Sequence, residues 1–315
     1  MRLIQVLIFL VLICLSHIAA AQYYDTGQDP ASLKWMQIKT SRFTVIYPEK
    51  YGAGGIEYAK TLEKAYSKLV LLFPEKKFTI PVVIHNYTVQ SNGYVSWAPK
   101  RIELYPTPEQ NTIPLSAEEQ LSVHELTHVF QLSSLNQGFS KYMSYLLGEQ
   151  FTGVVASLLP EWFLEGDAVF AESVLTPSGR GRTPSFQKPL KALIVDFKKP
   201  YKYDKILNGS YKDYVPDYYQ SGYQMVTLAL TNDINIWNKV LNFTAEQPFT
   251  INPVNISLTR NTGLRKKTLW YQTYDTLKNI WSKEISENKP ALYSPINPDK
   301  HGKFINYYSP VFISE

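Results

Sequence analysis

The sequence predicts an α+β protein, with an N-terminal mixed sheet and helices followed by a mostly helical C-terminal half. Three observations carry that expectation. Between residues 35 and 105, short runs rich in β-branched and aromatic residues alternate with polar ones, the two-residue period of half-buried strands. From 116 to 287, apolar residues recur at three- and four-residue spacing over segments long enough for helices. The chain is 44% hydrophobic, 14% aromatic and 19% charged, too apolar to remain disordered.

A leader comes first. Residues 1–21 carry one cation, Arg2, an apolar run over 3–15, and small residues at Ala19 and Ala21 ahead of Gln22, the pattern of a secretory signal peptide. The apolar run is shorter than the roughly 20 residues that span a bilayer. The expected mature protein therefore begins at Gln22 and is exported, to a periplasm, a cell surface or the medium. Its only cysteine, Cys14, lies in the leader, so the mature chain has no thiol, which suits a bacterial export compartment. Without Arg2, 31 basic residues face 27 acidic ones, a net +4. The basic residues are scattered rather than gathered in a stripe, so nucleic acid is not an expected partner.

The elements follow in order. Residues 35–40 and 42–48 read as a hairpin, and 56–73 as a long helix with Ala59, Leu62, Ala65, Tyr66, Leu69 and Leu72 on one face. Residues 79–87 form an inner strand, and 93–97 with 101–105 a second hairpin around Ala98-Pro99-Lys100. These make up an α/β half over 22–115. Ser116-Ala-Glu-Glu119 is a capping box that starts a helix running to about Leu132. Helices are expected over 140–158, 161–174, 187–197, 219–231, 234–244 and 268–287, a helical half over 116–288. Residues 289–315 are Pro- and Asn-rich and then strand-like, a β-like tail or the start of a following domain.

Chemistry concentrates in His124-Glu125-Leu126-Thr127-His128, set within a helical pattern. Positions i and i+4 share a helix face, so two imidazoles one turn apart can bind one Zn²⁺, with Glu125 placed to activate a water on the metal as general base. A catalytic zinc takes a third protein ligand and leaves a position open for water. Gln131 and Ser134 stand where a metzincin would have Gly and His, which excludes that class.

Downstream comes Leu159-Pro160-Glu161-Trp162-Phe163-Leu164-Glu165-Gly166-Asp167-Ala168-Val169-Phe170-Ala171-Glu172. This stretch resembles the W-x-x-E-G-x-A-x-[YF]-x-E pattern of gluzincin metallopeptidases, the thermolysin-like, peptidase-MA-like clan. The match is close over 121–172 and looser around it. The resemblance implies a zincin-like fold, one zinc per chain held by His124, His128 and Glu165, Glu125 as catalytic base, and a peptide or protein substrate. Glu165 is preferred over Glu161, one turn earlier, as the third ligand. The chain looks most like exported bacterial domains that often precede a β-propeller, so a β-propeller or other β domain is an implied partner at the C-terminus.

Three features depart from the family pattern. Thirty-six residues separate His128 from Glu165, a gap that an extra helix over 140–158 can fill. Val169 stands where the thermolysin form has an Asp, so the group that orients a zinc-bound histidine comes from elsewhere. The G-x-M-E-N motif of aminopeptidases is absent before the zinc helix, so the expected activity is that of an endopeptidase.

Zinc hydrolysis develops charge on the carbonyl oxygen that a Tyr, His or Arg donor can share. Tyr219 is the first candidate and Tyr223 the second, in Tyr218-Tyr219-Gln220-Ser221-Gly222-Tyr223. An extended substrate could pair with an edge strand at 94–97 or 101–105. The basic loop 179–182 reads as solvated and takes no site role. The alternative from another class is a non-catalytic, metal-containing surface binding or assembly module with a peptidase-like fold. The intact Glu125 argues for the enzyme.

Overall fold

The computed structural model describes residues 29–107, 113–197, 199–288 and 311. The expected leader, and the expected tail apart from Val311, lie outside the described residues. Five strands and eleven α-helices follow one another among the described residues, an α+β architecture with the sheet first.

The strands are β1 (Trp35–Lys39), β2 (Phe43–Pro48), β3 (Ile80–Ile84), β4 (Ser91–Trp97) and β5 (Lys100–Pro106), in the order β1-β2-β3-β5-β4. The outer pairs β1/β2 and β4/β5 are antiparallel, and the inner pairs β2/β3 and β3/β5 are parallel. Alternation explains the buried face: Phe43, Val45, Ile80, Val82, Ile84, Ile102 and Leu104 all point to one side and are fully buried. Helix α1 (Gly52–Leu69) covers them with Tyr58, Leu62, Ala65, Tyr66 and Leu69, its one apolar stripe. Both expected hairpins form. The second corrects one expectation, because 101–105 lies in β5 between β3 and β4, leaving β4 as the edge strand available to a ligand.

Helix α2 (Ala117–Leu135) starts where the capping box predicts, with the Ser116 hydroxyl accepting from Glu119 N–H at 3.2 Å. It is buried on nearly all sides. Val123, Leu126, Val129 and Phe130 pack into the core, while His124, Glu125 and Gln131 are equally buried polar residues. Thr61 of α1 and Ser122 of α2 share a hydrogen bond of 2.9 Å between the two helices.

The expected helix over 140–158 is two: α3 (Gly138–Leu147) and α4 (Gln150–Ala156). Gly148 between them has φ +89°, a left-handed conformation that ends a helix and that glycine adopts without strain. Helix α5 (Glu161–Leu175) follows, then a 3₁₀ turn at Arg180–Arg182. Helix α6 (Pro184–Asp196) begins three residues earlier than expected because Pro184 suits the first turn. Helix α7 (Tyr203–Asn208) was not legible in the sequence, being too short for a periodic signal. Helices α8 (Tyr218–Asn232), α9 (Ile236–Glu246) and α11 (Lys266–Glu287) match expectation, and α10 (Pro253–Thr262), with Pro253 in its first turn, is additional. One apolar core runs from Phe43 to Trp281, so the sheet half and the helical half are packed together.

Helices α5 and α8 cross through glycine. A Cβ built on Gly166 would lie 2.3 Å from the Gly222 carbonyl carbon, and one on Gly222 would lie 2.1 Å from the Trp162 carbonyl oxygen. The obstacle in both cases is backbone, which cannot swing aside. Gly222→Ala is therefore expected to lower stability by roughly 1–3 kcal/mol through overpacking. Gly153→Ala in α4, where an added Cβ meets nothing within 4 Å, should raise it by about 0.5–1 kcal/mol through helix propensity. Thermal unfolding of the two variants checks the contrast, and equal shifts would show the crossing to be looser than described.

Candidate metal centre

A cleft of about 1560 Å³ opens between edge strand β4, helices α2 and α5, the Arg180 turn and helices α6 and α8. At its floor lie His124, His128 and Glu165. His124 and His128 are successive turns of α2, and Glu165 comes one turn into α5, which lies against α2. Glu165 Oε2 is 3.1 Å from His124 Nε2 and 3.5 Å from His128 Nε2. One ligand atom from each of the three residues falls within 4.8 Å of the others, the one such group among the described residues. Bonds of 2.0–2.1 Å at tetrahedral angles separate ligand atoms by about 3.3 Å, so this spacing fits a single ion held by all three.

Each imidazole has a partner behind it. His128 Nδ1 donates to Gln131 Oε1 at 2.9 Å, which turns its Nε2 toward Glu165. The amide of Gln131 is fixed in turn, donating to the Leu164 carbonyl at 3.1 Å and to Asp167 at 2.9 Å. His124 Nδ1 lies 2.8 Å from Arg180 Nη2 and 3.6 Å from Glu172 Oε1, and Glu172 itself accepts from Arg180 Nε at 2.7 Å. Since Arg can only donate, the ring proton here sits on Nε2, toward Glu165. An ion at Nε2 would move that proton to Nδ1, for which Glu172 is the acceptor at hand.

Charge follows from burial. Burial raises the Glu165 pKa, but the charge and hydrogen bonds of the two histidines outweigh it and hold the carboxylate well below its usual range. Burial lowers His128, but Glu165 more than restores it and raises it to about 9. Glu125 is 3% exposed, and burial lifts its carboxyl above the usual value against the pull of His124 and His128. Its Oε2 has no hydrogen-bond partner among the described residues. A buried carboxylate with a free oxygen and a raised pKa is suited to accept a proton near neutral pH.

Of the two candidate tyrosines, Tyr219 lines the cleft, stacked on His124 with ring centroids 6.3 Å apart. Burial, then the Glu165 charge and hydrogen bond, push its phenol far up, so it stays a donor. Tyr223 lies elsewhere, against Gly181 and with its ring 6.4 Å from Phe186, and is not among the residues that line the cleft. One turn along α5 separates the two facing sets: Glu161 meets Tyr218 while Glu165 meets the histidines.

No family model matches the chain, and no curated protein does. The site therefore rests on its own geometry.

Four residues around His124, His128 and Glu165 carry work to which the sequence assigned no role. The loop at 179–182 is not solvated at Arg180, whose guanidinium reaches His124 and Glu172 and lies 5.5 Å over the Tyr219 ring. Gln131 and Glu172 had a signal in hindsight, being one turn after His128 and two turns after Glu165 on the same helix faces. Asp167, two residues after Glu165, reads like Glu172 as a supporting or solvated acid, and Arg180 had no signal.

Gln131→Leu removes the acceptor behind His128 and is expected to weaken metal binding about 10–100-fold, measured by competition with a chelator. An unchanged affinity would mean that Gln131 does not orient the ring. A pH effect also follows for the metal-free protein. His128 has a raised folded pKa, so its contribution is complete below its unfolded value near 6.5 and is lost as pH rises through about 9. Thermal stability of the metal-free protein should accordingly fall across that window, and the fall should flatten in Glu165→Gln, which lacks the charge that raises His128.

Proposed function

We propose that this chain is an exported zinc metallopeptidase of gluzincin type with a zincin-like fold, acting as an endopeptidase on peptide or protein substrates. The observation that supports it most is the convergence of His124 Nε2, His128 Nε2 and Glu165 Oε2 in an open cleft, beside a buried Glu125 carboxylate with a free oxygen. Two nitrogens and a carboxylate oxygen suit zinc and leave its fourth position to the cleft. When bound there, zinc supplies Lewis acidity to a water and to the scissile carbonyl.

The protein's own residues do the rest. Glu125 takes the proton of the attacking water, which its raised pKa favours, and passes it to the leaving nitrogen. Tyr219, a donor on the cleft wall, is placed to share the charge that develops on the carbonyl oxygen. Edge strand β4, whose residues 91–95 line the cleft, offers main-chain groups to an extended substrate. Cleavage within a chain suits a cleft open at its surface. No helix among the described residues is long and apolar enough to cross a membrane.

A second reading, a metal-containing surface binding or assembly module, is favoured by one feature. Helix α3 exposes Tyr142, Tyr145, Leu146 and Leu147, with Phe249 and Ile251 also exposed and Phe249 stacked edge-on against Phe139 of the helix. Such a face is larger than scattered surface residues require.

The deciding experiment compares wild type with Glu125→Gln for zinc per chain and for hydrolysis of an unfolded protein. One zinc is expected in both, with turnover of the variant reduced by about 10²–10⁴. Equal turnover would overturn the mechanism, and a wild type that binds zinc but cleaves nothing would favour the binding module.

A further inference from the structure

We infer that Gly93 of β4 is a positioning residue for the catalytic base: its missing side chain is the space into which the Glu125 carboxylate fits. The inference rests on the peptidase reading for what that carboxylate does, though not for the contact itself.

Gly93 pairs with Leu104 of β5 and shares the helix-facing side of the sheet with Val95. Glycine in a strand interior weakens it and marks a close approach. Here a Cβ would lie 2.6 Å from Glu125 Oε1, 2.7 Å from Cδ and 2.8 Å from Cγ, well inside van der Waals contact. Any residue but glycine would therefore displace either the strand or the carboxylate.

The strand is held from behind. On the opposite face of the sheet, Tyr94 hydrogen-bonds Glu103 of β5, which also meets Arg101 and lies 3.2 Å from His85 Nε2. His85 stacks on Tyr105, with centroids 4.9 Å apart, and its Nδ1 pairs with Asp29. With β4 tied to β5 by main-chain pairing along its length and by these side chains, the carboxylate is the part that gives way. Glu125 is confined on the other sides, its stem fixed on a buried helix and its neighbours His124 and His128 held by Arg180, Gln131 and Glu165. A Cβ at position 93 thus obliges the carboxylate to leave the place it holds. The three atoms nearest that Cβ all belong to Glu125 and none to His124, His128 or Glu165, so the ion's site should survive the substitution while the base is misplaced.

The test is a double-mutant cycle on the full mature chain, read by thermal unfolding, together with metal content and kinetics. Gly93→Ala is expected to lower the unfolding midpoint by on the order of 5 °C in the native background and to have little effect when Glu125 is already Ala, because the obstructing carboxylate is then gone. Equal shifts in the two backgrounds would overturn the contact. In the same variant one zinc per chain should remain, with kcat reduced roughly 100-fold and KM nearly unchanged, the result of moving a base by about 1 Å. Native kcat in a Gly93→Ala protein would overturn the positioning role. Gly153→Ala, remote from the cleft, serves as the glycine-to-alanine control and should hydrolyse at the native rate. If the wild type itself hydrolyses nothing, the peptidase reading fails, and the thermal cycle still decides whether Gly93 makes room for Glu125.

Discussion

A carboxylate from one helix must lie within hydrogen-bonding distance of two imidazoles on another, in a floor reached by solvent only through a cleft. Placing Glu165, His124 and His128 there removes charge and polar atoms from water, which is unfavourable unless each is met by a partner. The surrounding structure supplies those partners. Gln131 stands behind His128 and is itself held by Asp167 and the Leu164 carbonyl, while Glu172 and Arg180 stand behind His124. Arg180 neutralises Glu172, a carboxylate with no exposed surface that burial alone would leave uncharged.

That constraint explains the helix packing. Glu165 reaches the histidines only because α5 lies close to α2, and Tyr219 reaches the same floor only because α8 crosses α5 backbone to backbone at Gly166 and Gly222. The Glu-Gly pair at 165–166 thus combines a ligand with the clearance that brings the next helix to it. On the opposite wall, β4 approaches α2 at Gly93 so closely that the base sits against main chain. Both close approaches use the same device, a residue without a side chain where two elements would otherwise be held apart by a Cβ.

Much of this was legible beforehand, for identifiable reasons. The His124–His128 spacing is a property of one helix, so the pairing of two imidazoles on one face follows from local geometry alone. Helix starts at Ser116 and strands at 43–48 and 80–84 are likewise local, set by a capping hydroxyl and by alternation. The break at Gly148 is not legible in the sequence, because the apolar period continues across it and a positive φ leaves no mark on periodicity. Tyr219 and Tyr223, one turn apart on α8, were ranked but not separated by sequence. The packing of α8 brings one ring to His124 and the other to Gly181.

A motif resemblance pointed to Glu165 as the acid to look for; by itself, the sequence determined the α+β order of elements and the two-imidazole helix face with Glu125 beside it. These depend on contacts within a few residues, where backbone period dictates which side chains share a face. Only the tertiary structure decided that Glu165 Oε2 meets both Nε2 atoms, that β4 rather than β5 is the edge, and that Arg180, from a turn that reads as solvated, closes over His124. The side-chain contacts among them join residues 37 to 56 positions apart. No local period spans such distances, and the packing of whole elements around a shared core sets them instead.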